Sequence, residues 1–468
     1  RWVGQEFNAK NARWEEGLFA ATPPLEAKKT LISRAASQMG IPKHRRKKLG
    51  FIDIRKAYFH APASREIYVK LPPEFLEPGE EGVCGLLNYS LYGTRDAARN
   101  WEEHYGTVLV ELGFKQGLSS PCIFYHPKRD ISTVVHGDDF TSLAEDHQLR
   151  WLIKVLSDKF LIKDRGIMGP DENDVKEIRL LNRIIAWESE GIRYEADQRH
   201  AEILCKTLQL DKANGVDTPG TVSKTSEDEE DSPLDQSEVR PYRACAARCN
   251  FLGLDRPDVQ YAAKEVSRAM SNPHQSNVVS LKRLGRYLHK HPRAVFMFKF
   301  QAPQDHIRIY SDTNWAGCIK TRKSTQGGAV MLGQHCIKTW SSTQAIISLS
   351  SGEAEYYGIV KASSVGLGLK AMLTDMGLAP TLEVLTDASA AKGIASRTGL
   401  GKTRHIEVHY LWVQERIANK DMKLSKVWGH DNPADLLTKH LDAATLQRHL
   451  RLLGIEYRDG RSAETPMI

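Results

Sequence analysis

The sequence predicts a multidomain protein of mixed α+β and α/β class that ends in a sheet flanked by helices. Three observations carry this expectation. The chain has 468 residues, too many for one core and enough for about three domains. Its hydrophobic fraction is 41% and its mean hydropathy −0.44, values of a globular protein whose domains can each bury an interior. From residue 305 onward the pattern runs strand, strand pair, helix, strand, helix, helix, strand, helix, which predicts a mixed sheet covered by helices.

Taken in order, residues 1–215 mix short strands and helices. The runs GFIDIRKAYF (50–59) and STVVHGDDF (132–140) have strand character. Residues 97–114 and 147–160 carry apolar side chains at helical spacing. Residues 216–240 contain the acidic run SEDEED, Ser226 to Asp231, and are expected to be a flexible linker that marks a boundary. Residues 241–304 read as mainly helical, with VVSLKRLGRYLHKH basic on one side. The mixed α/β domain is expected over 305–445, and 446–468 is expected to be a C-terminal tail. No repeat of fixed period is present.

The formal net charge of +7 and pI of about 8.9 suit a polyanionic partner. The densest basic run, PKHRRKK (Pro42 to Lys48), has the composition of a phosphate contact or a nuclear address, and equally of a solvated loop. Seven scattered cysteines lack paired ligand spacing, so free thiols are expected. Cys245 and Cys249, one turn apart, suggest a packed helix face rather than half a zinc site. No apolar run approaches the roughly 18 residues that span a bilayer, and RWVGQEFNAK has no signal-peptide core. These features predict a cytosolic or nuclear setting, no secretion and no membrane partner.

Acidic residues hold the chemistry. Gly137-Asp138-Asp139 follows a β-branched run, and adjacent carboxylates there mean either a surface hairpin turn or a divalent-cation site completed by other acids. In the last domain, Asp312 ends the strand IRIYSD. Glu355 shares a helical stripe with Ile359, Ala362, Val365, Leu369, Met372 and Leu373, whereas Glu353 points elsewhere. A glutamate on a core-facing stripe is costly unless it is paired or bound to metal. Asp387 stands at a strand's carboxyl end, where open α/β sheets place ligands, although a helix cap would explain it as well. Asn432 is placed to cap a late helix, with Pro433 at its first turn and Asp435 inside it. Four carboxylates in this order match what two divalent ions need for phosphodiester hydrolysis. His430, just before the last acid, suits either proton transfer or a backbone hydrogen bond.

The stretches YSDTNWAG, RKSTQGGAVMLG, SLSSGEAEYYG, LTDASAA, TRHIEVHYLWVQE and NPADLLTK resemble the ribonuclease H domain of copia-type retrotransposons. YRACAARCNFLGLDRPDVQYAAKEVSRAMSNP resembles that family's connecting segment. SLYGTRDAARNW, FIDIRKAYFHAPASREIYVKLPPEF and VVHGDDF resemble its reverse transcriptase motifs. The resemblance implies a right-hand polymerase of fingers, palm and thumb (1–215, fingers truncated), a helical connection and a ribonuclease H-like domain. It implies that Asp53, Asp138 and Asp139 hold Mg2+, with Mn2+ as a substitute, for nucleotidyl transfer. Asp312, Glu355, Asp387 and Asp435 would hold the ions for RNA hydrolysis, with His430 assisting. Tyr58 would lie beneath the nucleotide sugar and exclude a 2′-hydroxyl; Tyr92 and Gly93 would lie near the base pair, and Arg95 and Arg99 would reach phosphates. Trp101 would be core. Implied partners are an RNA template, a DNA primer, RNA/DNA hybrid, deoxynucleoside triphosphates and other Pol and Gag products, in a cytoplasmic virus-like particle or the nucleus.

Three departures from the family pattern bear on activity. His136 and Gly137 replace an aromatic and a small aliphatic residue before Asp138. Asp96 stands where glutamine is common, and an acid beside a triphosphate is unfavourable unless it points away. The chain begins inside the fingers at RWVGQEFN, as a piece of a larger product or of a decayed element would. The alternatives to a working polymerase with ribonuclease H are a catalytically weak or dead nucleic-acid-binding fragment, or activity of the ribonuclease H domain alone.

Overall fold

The structure, a computed structural model, describes residues 3–6, 18–80, 82–222 and 231–466. Most of the acidic run 226–231 and part of the opening RWVGQEFN lie outside the described residues. The chain divides into two compact units: 1–31, 40–175 and 371–379 form the first, and 32–39, 176–370 and 380–468 the second.

After α1 (Leu25–Ala36), which crosses that division, the first unit runs β1 (Lys47–Ile54), β2 (Tyr68–Lys70), β3 (Cys84–Leu86), α2 (Ala97–Glu111), β4 (Lys115–Gln116), β5 (Ile123–His126), β6 (Ile131–His136), β7 (Asp139–Glu145), α3 (Asp146–Ser157) and β8 (Ile162–Met168). Six strands form one sheet in the order β4-β5-β6-β7-β1-β8, antiparallel throughout. The helical spacing read in the sequence is the reason α2 and α3 pack there. Trp101, Tyr105, Leu109, Leu149, Leu152 and Leu156 lie three or four residues apart and share one core with Ile52, Ile54, Val135 and Phe140. The expected strand 50–59 stops at Ile54: Lys56 takes φ 55°, and Ala57–His60 coil into a 3-10 turn.

The second unit contains β9 (Glu177–Leu180), β10 (Arg183–Trp187), β11 (Gly191–Glu195), α4 (Arg199–Thr207), α5 (Gln236–Leu252), α6 (Pro257–Arg268), α7 (Gln275–Lys290), β12 (Arg293–Lys299), β13 (His306–Asn314), β14 (Thr325–Leu332) and β15 (His335–Thr343). Then follow α8 (Ser351–Asp375), which re-enters the first unit at its end, β16 (Thr381–Thr386), α9 (Ser389–Ala395), α10 (Trp412–Ala418), β17 (Lys423–Lys426), α11 (Ala443–Leu452) and β18 (Ile455–Arg458). One sheet, β18-β12-β11-β10-β9, is antiparallel; the other has the order β15-β14-β13-β16-β17, with β13, β16 and β17 parallel.

The first of these sheets corrects the expected boundaries. It takes β9–β11 from the region assigned to the polymerase, β12 from the region read as helical, and β18 from the supposed tail. The cause is β12: Ala294 to Phe298 are all buried, so this apolar strand needs a neighbour on each side, and β11 and β18 supply them. Residues 446–468 are therefore no tail among the described residues, because Leu446, Leu450 and Ile455 are core.

All seven cysteines are free, and Cys245 and Cys249 are buried on α5. The basic run 42–48 is partly engaged within its own unit. Lys43 pairs with Asp171 at 2.9 Å and Lys47 with Asp130 at 2.7 Å. Lys48 lies 3.2, 2.9 and 2.8 Å from Asp146, Asp171 and Asp174. Among the described residues no helix is long and apolar enough to cross a membrane.

Candidate metal centres

In the second unit, Ser311 and Thr386 are register partners on parallel β13 and β16, so Asp312 and Asp387 leave adjacent strands at the same end. Helix α8 crosses β13 where its residues are small: a Cβ on Gly358 would meet Thr313 Cγ2 at 2.6 Å and one on Gly366 would meet Ile309 at 2.4 Å. That close approach lets Glu355 Oε1 accept from Thr313 N at 3.2 Å. Oxygens of Asp312, Glu355 and Asp387 all lie within 4.8 Å of one another. Glu355 Oε2 is buried with no hydrogen-bond partner. Three converging carboxylates and an orphaned buried oxygen fit a hard divalent cation, which takes oxygen ligands.

Without such an ion the cluster resists ionising. Burial, then Asp435, pushes Asp312 up to about 7. Burial, then Asp312, pushes Glu355 up to about 8, and burial with Asp435 raises Asp387. Asp435 acts on the cluster through its charge but is not one of the three converging acids; its Oδ1 pairs with Lys439 Nζ at 2.9 Å. Asn432 caps the 3-10 turn Pro433–Leu437, its Oδ1 accepting from Ala434 N at 3.2 Å, and its Nδ2 donates to Ser311 O at 3.0 Å. This turn can reach β14 because Gly327 has no side chain: a Cβ there would lie 2.6 Å from that of Leu437. Thr438 Oγ1 then donates to Asp312 Oδ2.

The cap reading of Asp387 fails, since α9 begins at Ser389 with Ala388 at its cap. His430 is exposed in the turn Gly429–Asp431, 3.3 Å from Asp431 Oδ1, while Gly429 abuts the site: a Cβ on it would lie 3.1 Å from Asp387 Oδ2. Glu353, off the stripe of Glu355, is not free. It is buried, accepts from Leu349 N at 2.9 Å and Tyr357 O–H at 3.1 Å, and pairs with His405 Nε2 at 2.8 Å.

In the first unit, β6 and β7 form the hairpin with Gly137 and Asp138 at its tip. Gly137 takes φ 64°, the positive value that the first central residue of a type II′ turn needs. Asp53 on β1 faces Asp139 in the ladder, and Ile54 N donates to Asp138 O at 2.9 Å. The three acids feel one another: burial, then Asp139 and Asp53, raises Asp138. Asp139 is raised by burial, against the pull of Lys28 and Arg165, and Arg165 Nη1 stands 3.3 Å from its Oδ1. The three acids are neighbours, but the tight convergence seen in the second unit is not repeated here among the described residues.

Trp101 is core, as expected, and it also donates from Nε1 to Gly137 O at 2.9 Å, a role its sequence position did not reveal. Trp101→Phe should leave a cavity and an unpaired Gly137 carbonyl, lose about 2–3 kcal/mol of stability in chemical denaturation, and lower any activity of the hairpin acids more than that of the second-unit cluster.

Tyr58 stacks on Tyr92 with ring centroids 4.4 Å apart, and burial, then Tyr92 and Asp138, raises its phenol. Gly93 takes φ 95°, and residues 3–6 lie along it, with Gly4 N donating to Tyr92 O at 2.6 Å. Arg95 N donates to Glu6 Oε2 at 2.9 Å, and Arg99 pairs with Glu103 at 2.7 Å on the surface. Asp96 is buried and pairs with Arg65 at 3.1 Å, which holds its carboxyl below the usual range despite burial.

The family described as reverse transcriptase (RNA-dependent DNA polymerase) matches residues 30–219. The retrovirus-related Pol polyprotein from transposon TNT 1-94 of Nicotiana tabacum is 25% identical over 457 residues, covering 94% of this chain and 33% of the relative. That from transposon RE2 of Arabidopsis thaliana is 26% identical, covering 86% of this chain and 27% of the relative. The chain thus spans about a third or less of the length of these relatives. Among solved structures, a foamy viral protease-reverse transcriptase in complex with RNA/DNA hybrid is 10% identical, covers 85% of this chain and 45% of that one, and has a TM-score of 0.47.

Proposed function

We propose that this chain, which is related to the copia-type retrotransposon Pol polyproteins across most of its length, carries two separate phosphoryl-transfer sites. The first unit extends a DNA primer on an RNA template with deoxynucleoside triphosphates. The second hydrolyses RNA in RNA/DNA hybrids. The observation that carries this reading is the convergence of Asp312, Glu355 and Asp387 around an oxygen left without a partner.

Bound divalent cations, Mg2+ or Mn2+, supply charge neutralisation and an activated attacking oxygen at such sites. The protein's own part is positioning. Thr313 N and Thr438 Oγ1 fix the Glu355 and Asp312 carboxylates, so little reorganisation remains to be done on reaction. Asp53, Asp138 and Asp139 hold ions at the hairpin, and Tyr58, braced by Tyr92, supplies the wall that rejects a 2′-hydroxyl. Arg165 and Lys439 offset one carboxylate at each site.

A narrower reading, hybrid cleavage alone, is favoured by one contrast: the hairpin acids do not converge as the second cluster does, and Asp139 is already paired with Arg165. Two assays on this polypeptide, primer extension and hybrid degradation, each with Mg2+, with Mn2+ and with EDTA, decide among the readings. The main proposal expects both reactions with metal and neither in EDTA. Hybrid degradation without extension selects the narrower reading, and salt-sensitive hybrid binding with neither reaction shows a binding protein.

A further inference from the structure

Helix α7 carries Lys282, Arg283, Arg286, His289 and Lys290 and not one acidic residue. The buried side of the helix is Leu281, Leu284, Tyr287 and Leu288, so the cationic groups stand along the opposite side. Like charges at i,i+3 and i,i+4 repel on a helix, and the arrangement needs anions to offset it.

The chain provides a partial offset. The segment after α4 packs onto α7: a Cβ on Gly285 would meet Leu210 at 2.4 Å, and one on Gly215 would meet the Lys290 stem at 2.6 Å. Three of its oxygens are turned toward cations of the helix. Asn214 O accepts from Arg286 Nε at 2.7 Å, Thr218 Oγ1 from Arg283 Nη2 at 2.7 Å, and Asp217 Oδ1 from Lys290 Nζ at 2.7 Å. Only one of the three is charged, against four permanent cations, and that ion pair is solvent-exposed, hence weak and exchangeable. Arg283 Nε is buried with no partner, and the neighbouring charge that acts on Arg283 is the like charge of Arg286. Lys282 is exposed.

We propose that the face of α7 formed by Lys282, Arg283, Arg286 and Lys290 binds the phosphates of an RNA/DNA hybrid, and that the oxygens of Asn214, Asp217 and Thr218 stand in for those phosphates in the free chain. Cations one helical turn apart, about 6 Å of rise, suit a polyanion with regularly spaced charges, and exchange of the strap for phosphate relieves the uncompensated charge.

The test uses the full chain in EDTA, so that neither metal site turns over, and reads fluorescence anisotropy of a labelled RNA/DNA hybrid across a salt series. The Lys282→Gln, Lys290→Gln double variant should bind about tenfold more weakly and lower the slope of log affinity against log salt by about two. Asp217→Asn should bind several-fold more tightly, because it removes the competing carboxylate; both changes lie on the surface. An unchanged slope in the double variant, or Asp217→Asn binding no tighter than wild type, overturns the proposal and leaves the two-site reading standing. Loss of polyglutamate binding without loss of hybrid binding also overturns it, in favour of an acidic protein partner.

Discussion

Glu355→Gln is expected to make the metal-free protein more stable than wild type at pH 8. Burial, then Asp435, raises Asp312 to about 7, and burial, then Asp312, raises Glu355 to about 8 in the folded state. A carboxyl with a raised folded pKa keeps its proton in the native state while the unfolded chain has lost it. Stability therefore falls as pH climbs from the unfolded carboxylate value to the folded one. Each pKa unit is worth about 1.4 kcal/mol, so each of the two carboxyls costs on the order of 3–5 kcal/mol by pH 8. Buried His335 and His449, pushed down to about 4, act in the opposite sense, but only below the unfolded value near 6.5. The window from pH 6.5 to 8.5 isolates the carboxylates. In thermal unfolding with EDTA, wild type should lose stability across that window and Glu355→Gln should lose much less. Millimolar Mg2+ should restore wild type at pH 8 and have little effect on the variant, because ligand oxygens must be ionised to bind. Parallel pH profiles for the two proteins would remove the basis for a strained acid cluster.

Asp138→Asn is expected to abolish primer extension while hybrid cleavage continues, and Glu355→Gln is expected to do the reverse. Losing one metal-binding carboxylate removes several kcal/mol of transition-state stabilisation, a fall of about a thousandfold or more. The amide keeps the size of the side chain, and the backbone bond from Ile54 N to Asp138 O is untouched, so the hairpin itself should survive. Incorporation of labelled nucleotide and release of labelled RNA fragments, measured on both variants, separate the sites. Loss of both activities in either variant would mean that the two clusters do not act independently.

Much of this site was legible in the residues. Asp312 and Asp387 could be found because a carboxylate at the end of an apolar strand is unusual, and Glu355 because it interrupts an apolar stripe. What stayed hidden were contacts between distant parts of the chain. Glu353 lies off the Glu355 stripe and is still buried, because α8 is covered on more than one side, with Tyr356 O–H reaching Tyr410 O at 2.8 Å. Its partner His405 and the Arg65 that neutralises Asp96 are distant in sequence, and spacing carries no information about either. The supposed tail failed for a related reason: β18 has four residues, too few for a pattern of its own, and it is a strand because β12 has an open edge. Gly327 and Gly358 matter through neighbours that occupy the space a side chain would fill, which spacing in the sequence does not reveal.

The account depends on carboxylates brought together to hold divalent cations, and counting those cations tests it most directly. Mn2+ titrated into the full chain and followed by electron paramagnetic resonance at pH 7.5 should show tight sites in wild type. Sites should be lost in the Asp312→Asn, Glu355→Gln double variant, and separately in Asp53→Asn, Asp138→Asn. Equal numbers of bound Mn2+ ions in wild type and both double variants would contradict it.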